Sequence, residues 1–215
     1  MKIFVVGSTK NHFLPLDKIR QKFFINQKHE GDNIDSLNPW YCELTGLYYL
    51  WKNCDDDIVG LEHYRRYFSN DKGQLLSENE IHSSLKGFDI LCIKEDYSYR
   101  GPIKNWLLVN KKWFDMSKFL VFIKVYVGEA YYNACLKFLH GNWHALGNMF
   151  ICRKELMNEY CKFTFDLLST YMQVEKEAGR QLPSRIMGYF TEFLFGAWLT
   201  YHHKKINFKK LRMVI

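Results

Sequence analysis

One short apolar segment, followed at once by charged and aromatic residues, constrains the fold of this chain most. Ile58, Val59 and Leu61 have the length and the branched side chains of a buried strand. In open α/β sheets, ligands bind just beyond the carboxyl ends of the strands. The segment therefore predicts a binding site in an α/β sheet, with a solvent-exposed basic turn as the alternative. The residues that follow the strand are Glu62, His63, Tyr64, Arg65, Arg66 and Tyr67.

The rest of the chain carries alternating strand and helix patterns, as expected for one α/β domain. Strand patterns occupy residues 3–6, 88–93 and 147–152, and helical patterns occupy 38–51, 77–86, 118–139, 155–172 and 183–199. Residues 11–37 show no clear periodicity and predict an irregular segment. The length of 215 residues is typical of one domain. The long aromatic stretch at 96–146 predicts a lid or a binding insertion.

Charge and composition indicate an anionic partner. The formal net charge is +7 and 17% of the residues are aromatic, so phosphate esters, nucleic acid and an anionic membrane face are the candidates. The basic, amphipathic tail at 202–212 is either a solvated terminus or a contact with an anionic membrane surface. The six cysteines form no C-x-x-C pair and have no zinc spacing, which favours reduced thiols in a cytosolic protein. No apolar run reaches the ~18 residues of a membrane span, and residues 1–10 predict a first strand rather than a signal peptide.

A carboxylate inside an apolar helix is the leading candidate for a titrating group. The helix pattern at 183–199 is apolar on nearly all sides. Burial raises the pKa of an unpaired carboxylate, and a raised pKa suits a general base. The alternative is a buried ion pair between Glu192 and Arg185. At about 100° per residue, the residues that share a stripe about 80° wide are Arg185, Gly188, Glu192 and Gly196, and the glycines leave room for a substrate or a backbone.

Other candidate binding residues lie at strand ends or in turns. Lys94 follows the strand pattern at 88–93, where it either contacts an anion or lies on the surface. Asp32 and Asn33 belong to a turn by composition, and a ribose or base contact is the second interpretation. The candidates at the mouth of the strand pattern at 147–152 are His144 and Asn148.

Four ordered sequence blocks resemble a bacterial glycosyltransferase family, long catalogued only as a domain of unknown function in capsular and lipopolysaccharide gene clusters. The blocks are GDNIDSLNPWYCELTGLYYLWKN, IVGLEHYRRYF, GNMFICRKELMNEYCKFTFDLL and GYFTEFLFGAWL. The resemblance implies a GT-A-like α/β fold in a single domain over residues 1–215, with a central, mostly parallel sheet flanked by helices. The segment between Glu95 and His144 matches the family poorly, so the lid or acceptor-binding insertion expected at 96–146 is not part of the resemblance and acceptor specificity is left open.

The resemblance also implies a function. It implies a UDP-sugar donor, with galactofuranose transferred by similar proteins, and a glycan or lipid-linked glycan acceptor in capsular, exopolysaccharide or O-antigen synthesis. A cytoplasmic protein, peripheral at the inner face of the cell membrane, is expected. Glu192 becomes the leading base for the acceptor hydroxyl. The expected donor-site residues are Asp32, Asn33, His63, Tyr64, Arg65, Arg66, Lys94 and Asn148, with His144 on the acceptor side.

No metal cofactor is expected at this site. A typical GT-A enzyme holds a metal with an Asp-x-Asp sequence after a central strand, whereas here that position carries His63, Tyr64 and Arg65. Arginine forks neutralise diphosphate oxygens and keep their charge at any working pH. Binding of Mg²⁺ or Mn²⁺ through Glu62 and Asp32 is the alternative.

A non-enzymatic nucleic-acid-binding protein is the rival interpretation, suggested by the net charge of +7 and the aromatic content. The basic residues do not form one stripe along the sequence, and no RNP, KH or helix-turn-helix pattern occurs. We therefore expect no nucleic-acid partner.

Overall fold

A seven-stranded sheet forms the centre of the part of the chain described by the computed structural model, residues 1–94 and 103–214. The order of the strands across the sheet is β2-β1-β3-β6-β5-β7-β4. Their bounds are β1 Lys2–Gly7, β2 Arg20–Phe24, β3 Ile58–His63, β4 Tyr67–Ser69, β5 Ile90–Ile93, β6 Phe150–Arg153 and β7 Phe208–Val214.

Five of these seven strands run in the same direction. β1 is parallel to β2 and β3, and β5 is parallel to β7. β3 and β5 are both antiparallel to β6, so they are parallel to each other, while β4 is antiparallel to β7. The expected central, mostly parallel sheet is therefore confirmed, and the carboxyl ends of β1, β3 and β5 lie at one edge.

Helices flank the sheet on both faces. Val59 of β3 packs into the larger core with α2, α7 and α8, whereas Ile58 faces the smaller core, where α3 contributes Ile81. Within residues 1–94 and 103–214, no helix is long and apolar enough to cross a membrane. The helix bounds are α1 Asn38–Tyr41, α2 Leu44–Asn53, α3 Glu78–Ser84, α4 Ile103–Val109, α5 Trp113–Tyr126, α6 Glu129–Leu139, α7 Lys154–Glu177 and α8 Ile186–Tyr201.

Besides β4, two segments without a strand prediction are strands. β2 lies within the stretch 11–37 and pairs in parallel with β1, and β7 lies in the basic tail and pairs with both β5 and β4. The tail is therefore an ordered strand of the sheet, while the side chains of Lys210 and Arg212 are exposed, as predicted for a solvated terminus. In both strands most polar side chains point outward, so the hydrophobic alternation that identifies a strand is weak.

Two predicted helices are interrupted. The pattern at 38–51 breaks at Cys42, whose backbone dihedrals are φ 50° and ψ −122°, and the pattern at 118–139 breaks between α5 and α6 at Gly128, with φ 116°. In contrast, α7 extends beyond the predicted residue 172 to Glu177. A positive φ is unfavourable for a residue with a side chain. Tertiary contacts must therefore stabilise the backbone conformation at Cys42.

The segment at 96–146 contributes to the core. Residues 95–102 lie outside the described residues, and the remainder contains α4, α5 and α6. The rings of Phe119 and Phe190 stack at 4.1 Å between α5 and α8, and Phe138 of α6 packs directly on Gly196. Gly196 therefore makes room for a core aromatic ring, and the lid or insertion role remains a prediction.

A buried ion pair connects β2, β3 and β4 beneath the end of β3. Arg20 Nε donates to Glu62 Oε2 at 2.7 Å and Arg20 Nη2 donates to Glu62 Oε1 at 3.0 Å, with both side chains fully buried. Glu62 Oε1 also accepts the backbone N–H of Phe68 at 3.0 Å. Such a pair fixes geometry, because removing one partner leaves an uncompensated buried charge.

We expect Arg20→Met to lower the free energy of unfolding by about 3–5 kcal/mol, because the carboxylate of Glu62 loses its partner. The melting temperature should fall by about 6–20 °C for a chain of this size. Arg20→Lys is the matched control. Lysine keeps the positive charge but cannot make both hydrogen bonds to Glu62, so the fall in the free energy of unfolding should be smaller. Thermal denaturation within about 2 °C of the wild type for Arg20→Met would contradict this role.

Candidate functional site

A cavity of about 420 Å³ opens at the carboxyl edge of the sheet, where β1 and β3 end. Its wall combines the turn after β3, the break between α1 and α2, and the first turns of α8. The residues that line it include Gly7, Ser8, Asn38, Cys42, Glu43, His63, Tyr64, Arg65, Arg66, Arg185 and Glu192. The structure thus brings four of the predicted donor residues and the predicted base to one cavity.

The basic residues lie on a tight turn. His63 and Arg66 close it with two backbone hydrogen bonds of 3.0 Å, and the N–H of Tyr64 donates to the carbonyl of Val6 at 2.9 Å. Arg65 is exposed and Arg66 is half-buried. Within residues 1–94 and 103–214, neither guanidinium makes an ion pair with a carboxylate within 4.0 Å, so both can bind an external anion.

Glu192 points into the cavity from α8. Its Oε1 accepts the backbone N–H of Gly147 at 2.7 Å, and its Oε2 lies 3.7 Å from Nε2 of His144. Burial, with the nearby charge of Glu43 as the second cause, raises the pKa of Glu192 to about 8. The predicted alternative, an ion pair with Arg185, is not among the ion pairs of the described chain. Glu192 is therefore mainly protonated at pH 7 and can exchange a proton near neutral pH.

His63 is fixed by the same loop as Glu192. Its Nε2 lies 2.6 Å from the carbonyl oxygen of Gly147, so Nε2 carries the proton and donates. Burial lowers the pKa of His63, and the imidazole is neutral. Gly147 has φ 68°, and a Cβ there would lie 3.0 Å from His63 Nε2. A glycine is therefore required where one residue holds His63 through its C=O and Glu192 through its N–H.

Asn148 and His144 lie behind the cavity. Asn148 is fully buried and its Nδ2 donates to Glu43 Oε1 at 2.9 Å. His144 is 3% exposed, and burial lowers its pKa to about 4. These two residues are placed to orient Glu43 and Glu192, and their predicted contacts with donor and acceptor remain predictions.

Asp32, Asn33 and Lys94 do not line this cavity. Asp32 accepts the hydroxyl of Tyr48 at 3.0 Å, and Asn33 donates to the carbonyl of His29 at 2.9 Å, so both stabilise their own loop. Lys94 lies at the same edge of the sheet as His63, but β6 separates their strands. It lines a second cavity of about 350 Å³ together with Lys209, Lys210 and Arg212.

No sequence pattern indicates that Cys42 belongs to the cavity, and Arg185 is predicted only as an ion-pair partner. Glu43 lies at the edge of the apolar stripe of the helix pattern at 38–51, which predicts that it orients Arg65 or Arg66, and it lines the same cavity as both arginines. Cys42, Asn148 and Arg185 have positive φ values of 50°, 54° and 64°. Strained backbone of this kind concentrates at functional sites. These positive φ values are known only from the tertiary structure, since neither residue type nor spacing predicts a positive φ at Cys42 or Arg185.

The fold and the cavity together define an α/β protein of the GT-A-like class. The chain belongs to the family described as "Domain of unknown function (DUF4422)", whose sequence model matches residues 2–205. The prediction that the chain belongs to a family catalogued as a domain of unknown function is therefore confirmed.

One solved structure shows the same fold over nearly the whole chain. The apo structure of WbbM, a bifunctional glycosyltransferase, is similar with a TM-score of 0.78 and 23% sequence identity. The similarity covers 99% of this chain and 44% of the WbbM chain, so this chain spans less than half of the length of WbbM. A comparison with curated proteins gave no match.

The raised pKa of Glu192 predicts how stability depends on pH. Because the folded carboxyl holds its proton up to about pH 8, the folded state binds more protons than the unfolded state between the ordinary value of 4.5 and 8. Stability must therefore fall as pH rises through that window. Between these two pH values, the free energy of unfolding of the wild type should fall by about 3–5 kcal/mol more than that of Glu192→Gln.

Urea denaturation of both proteins at several pH values measures this difference. Glu192→Gln keeps the shape and still accepts the N–H of Gly147, so it isolates the titration from packing. Parallel pH profiles for the two proteins would show that Glu192 has an ordinary pKa.

Proposed function

We propose that this protein is a glycosyltransferase that transfers a sugar from a UDP-sugar donor to a glycan or lipid-linked glycan acceptor. The observation that carries the proposal is one cavity in a GT-A-like fold, with two arginines free to bind an anion and a buried carboxyl that titrates near neutral pH. Galactofuranose is the first donor sugar to test, because the sequence blocks resemble a family associated with it. The product would be a capsular, exopolysaccharide or lipopolysaccharide glycan, made at the cytoplasmic face of the membrane.

The proposed reaction is a direct displacement at the anomeric carbon. The ionised carboxylate of Glu192 takes the proton of the acceptor hydroxyl as its oxygen forms the new bond to that carbon. The bond between the anomeric carbon and the diphosphate oxygen breaks, and UDP leaves with the electron pair. Arg65 and Arg66 stabilise the negative charge that develops on the diphosphate.

The fixed geometry of the wall supports these roles. The N–H of Gly147 holds Glu192 Oε1, which leaves Oε2 as the atom that accepts the proton. Because the pKa of Glu192 is about 8, the reactive ionised form increases with pH, and turnover should rise toward pH 8. His63 and Tyr64, on the same turn as the arginines, are the proposed contacts for the donor.

We also propose that the reaction is independent of a metal ion. Within the described residues, no group of three or more His, Cys, Asp and Glu side chains is able to hold a metal. The turn after β3 presents Arg65 and Arg66 to the cavity, where a site for Mg²⁺ or Mn²⁺ would need carboxylate oxygens. Turnover that is lost in EDTA and restored by Mn²⁺ would overturn this proposal.

The arginine assignment is tested by UDP binding. Arg65→Ala and Arg66→Ala should each weaken UDP binding by about 1.5–3 kcal/mol, the contribution of a charge-assisted hydrogen bond. Arg65→Lys should bind UDP more tightly than Arg65→Ala but less tightly than the wild type, because lysine keeps the charge and lacks the bidentate guanidinium group. Isothermal titration calorimetry gives the affinities directly.

Arg212→Ala is the matched control, because Arg212 is 63% exposed and lines the second cavity. Its affinity for UDP should equal that of the wild type. Unchanged affinity in the two turn variants would contradict the diphosphate site. Steeply salt-dependent oligonucleotide binding without UDP binding would favour the rival nucleic-acid-binding function.

The role of Glu192 as base is tested by turnover. Glu192→Gln cannot accept the proton, so the rate should fall by about 10²–10⁴, the usual contribution of general acid–base catalysis. UDP affinity should stay within about twofold of the wild type, since the arginines are intact. A fully active Gln variant would remove Glu192 from the mechanism.

A further inference from the structure

The helix α5 is apolar on the side that faces solvent as well as on the side that faces the core. Phe119 and Ile123 are fully buried, while Phe114, Val121 and Val125 are 66%, 62% and 82% exposed. Positions 114, 121 and 125 fall on one face of a helix at about 100° per residue. A surface helix of a soluble protein normally carries polar residues there.

These side chains form the largest concentration of exposed apolar residues in the described chain. Nine large apolar residues are exposed in all, and six of them belong to α4, α5 and the residues that flank α5. We call this set the α5 face. Its members are Leu108, Phe114, Val121, Val125, Tyr126 and Val127. Phe114, Val121 and Val125 share one side of α5, and a concentration of exposed apolar side chains of this kind indicates an interaction surface.

The α5 face is also strongly cationic. Residues 103–128 contain five lysines against one aspartate, a net charge of +4 of the +7 carried by the whole chain. Lys118 lies within the apolar stripe, with its Nζ 4.4 Å from the centroid of the Phe114 ring. Lys111 and Lys112 flank the stripe at its amino-terminal end, and Lys124, paired with Glu129 at 3.1 Å, flanks it near the other.

We propose that the α5 face binds the surface of an anionic lipid bilayer. A helix with lysines among apolar and aromatic side chains lies in the membrane interface, where its apolar atoms enter the acyl boundary and its ammonium groups meet anionic headgroups. Lysine is depleted from the cores of protein–protein interfaces, whereas Lys118 lies in the centre of this face. At 14 residues, α5 lies on the membrane and does not cross it.

The α5 face is a different membrane contact from the one predicted for the basic tail. The basic tail, which the sequence proposed for that contact, forms β7 within the sheet. Lys112 Nζ lies 4.5 Å from the ring of Tyr189, one helical turn from Arg185 in the cavity wall. The cavity would therefore open beside the bilayer, close to a lipid-linked acceptor. This last consequence rests on the proposed function, and membrane binding itself does not.

Co-sedimentation with vesicles tests the proposal without any activity measurement. The full chain should bind vesicles that contain about 30% phosphatidylglycerol in phosphatidylcholine, and binding should weaken at high salt. Phe114→Asp and the double variant Val121→Asp/Val125→Asp should lose most of the binding. Lys118→Gln should weaken it about fivefold, the contribution of one basic residue near such a surface.

Phe88→Asp is the matched control. Phe88 is an exposed phenylalanine before β5, with Lys209 of β7 near its ring, and its replacement should leave vesicle binding unchanged. Far-ultraviolet circular dichroism confirms that each variant is folded, as expected for exposed positions.

Three results would overturn the proposal. The first is the absence of wild-type binding to anionic vesicles at low salt. The second is equal binding by wild type and Phe114→Asp, which would place the contact elsewhere. The third is self-association in sedimentation velocity that Phe114→Asp abolishes while vesicle binding is unchanged, which would identify a second copy of the chain as the occupant.

Discussion

The buried pair of Arg20 and Glu62 is the interaction on which the site depends. It lies directly beneath the end of β3, and Glu62 also holds the first residues of β4 through the N–H of Phe68. The turn between these strands therefore has fixed ends, and Arg65 and Arg66 project from a rigid base. Arg65 and Arg66 carry like charges on adjacent residues, and this base holds both of them at the cavity.

A second element beside the cavity is the residue Gly147, which uses both of its backbone polar groups. Gly147 donates its N–H to Glu192 and accepts from His63 through its carbonyl. One loop thereby couples the proposed base on α8 to the turn after β3. Burial then gives the two groups opposite pKa shifts, raised for Glu192 and lowered for His63, so both are mainly neutral at pH 7. The positive charge of the site resides on arginine, whose charge is independent of pH in this range.

The sequence allowed much of this arrangement to be predicted from strong local patterns. The strand at Ile58, the basic residues after it and the carboxylate in an apolar helix were identified from residue type and spacing alone, because hydrophobic periodicity determines which faces are buried. Predictions based on weaker signals did not reach the cavity. Asp32 and Asn33 stabilise their own loop, and Lys94 follows β5, which lies on the far side of β6.

The sequence by itself determined the α/β class, the family and the chemical groups available at the end of β3. Only the tertiary structure decided which of these groups face one another. Strand order cannot be read from local periodicity, so the insertion of the antiparallel β6 between β3 and β5 separates Lys94 from His63. The same long-range packing places Gly147 against Glu192, 45 residues away in the chain, and turns the basic tail into a strand. Such contacts depend on burial and backbone geometry shared between distant segments, which no local pattern encodes.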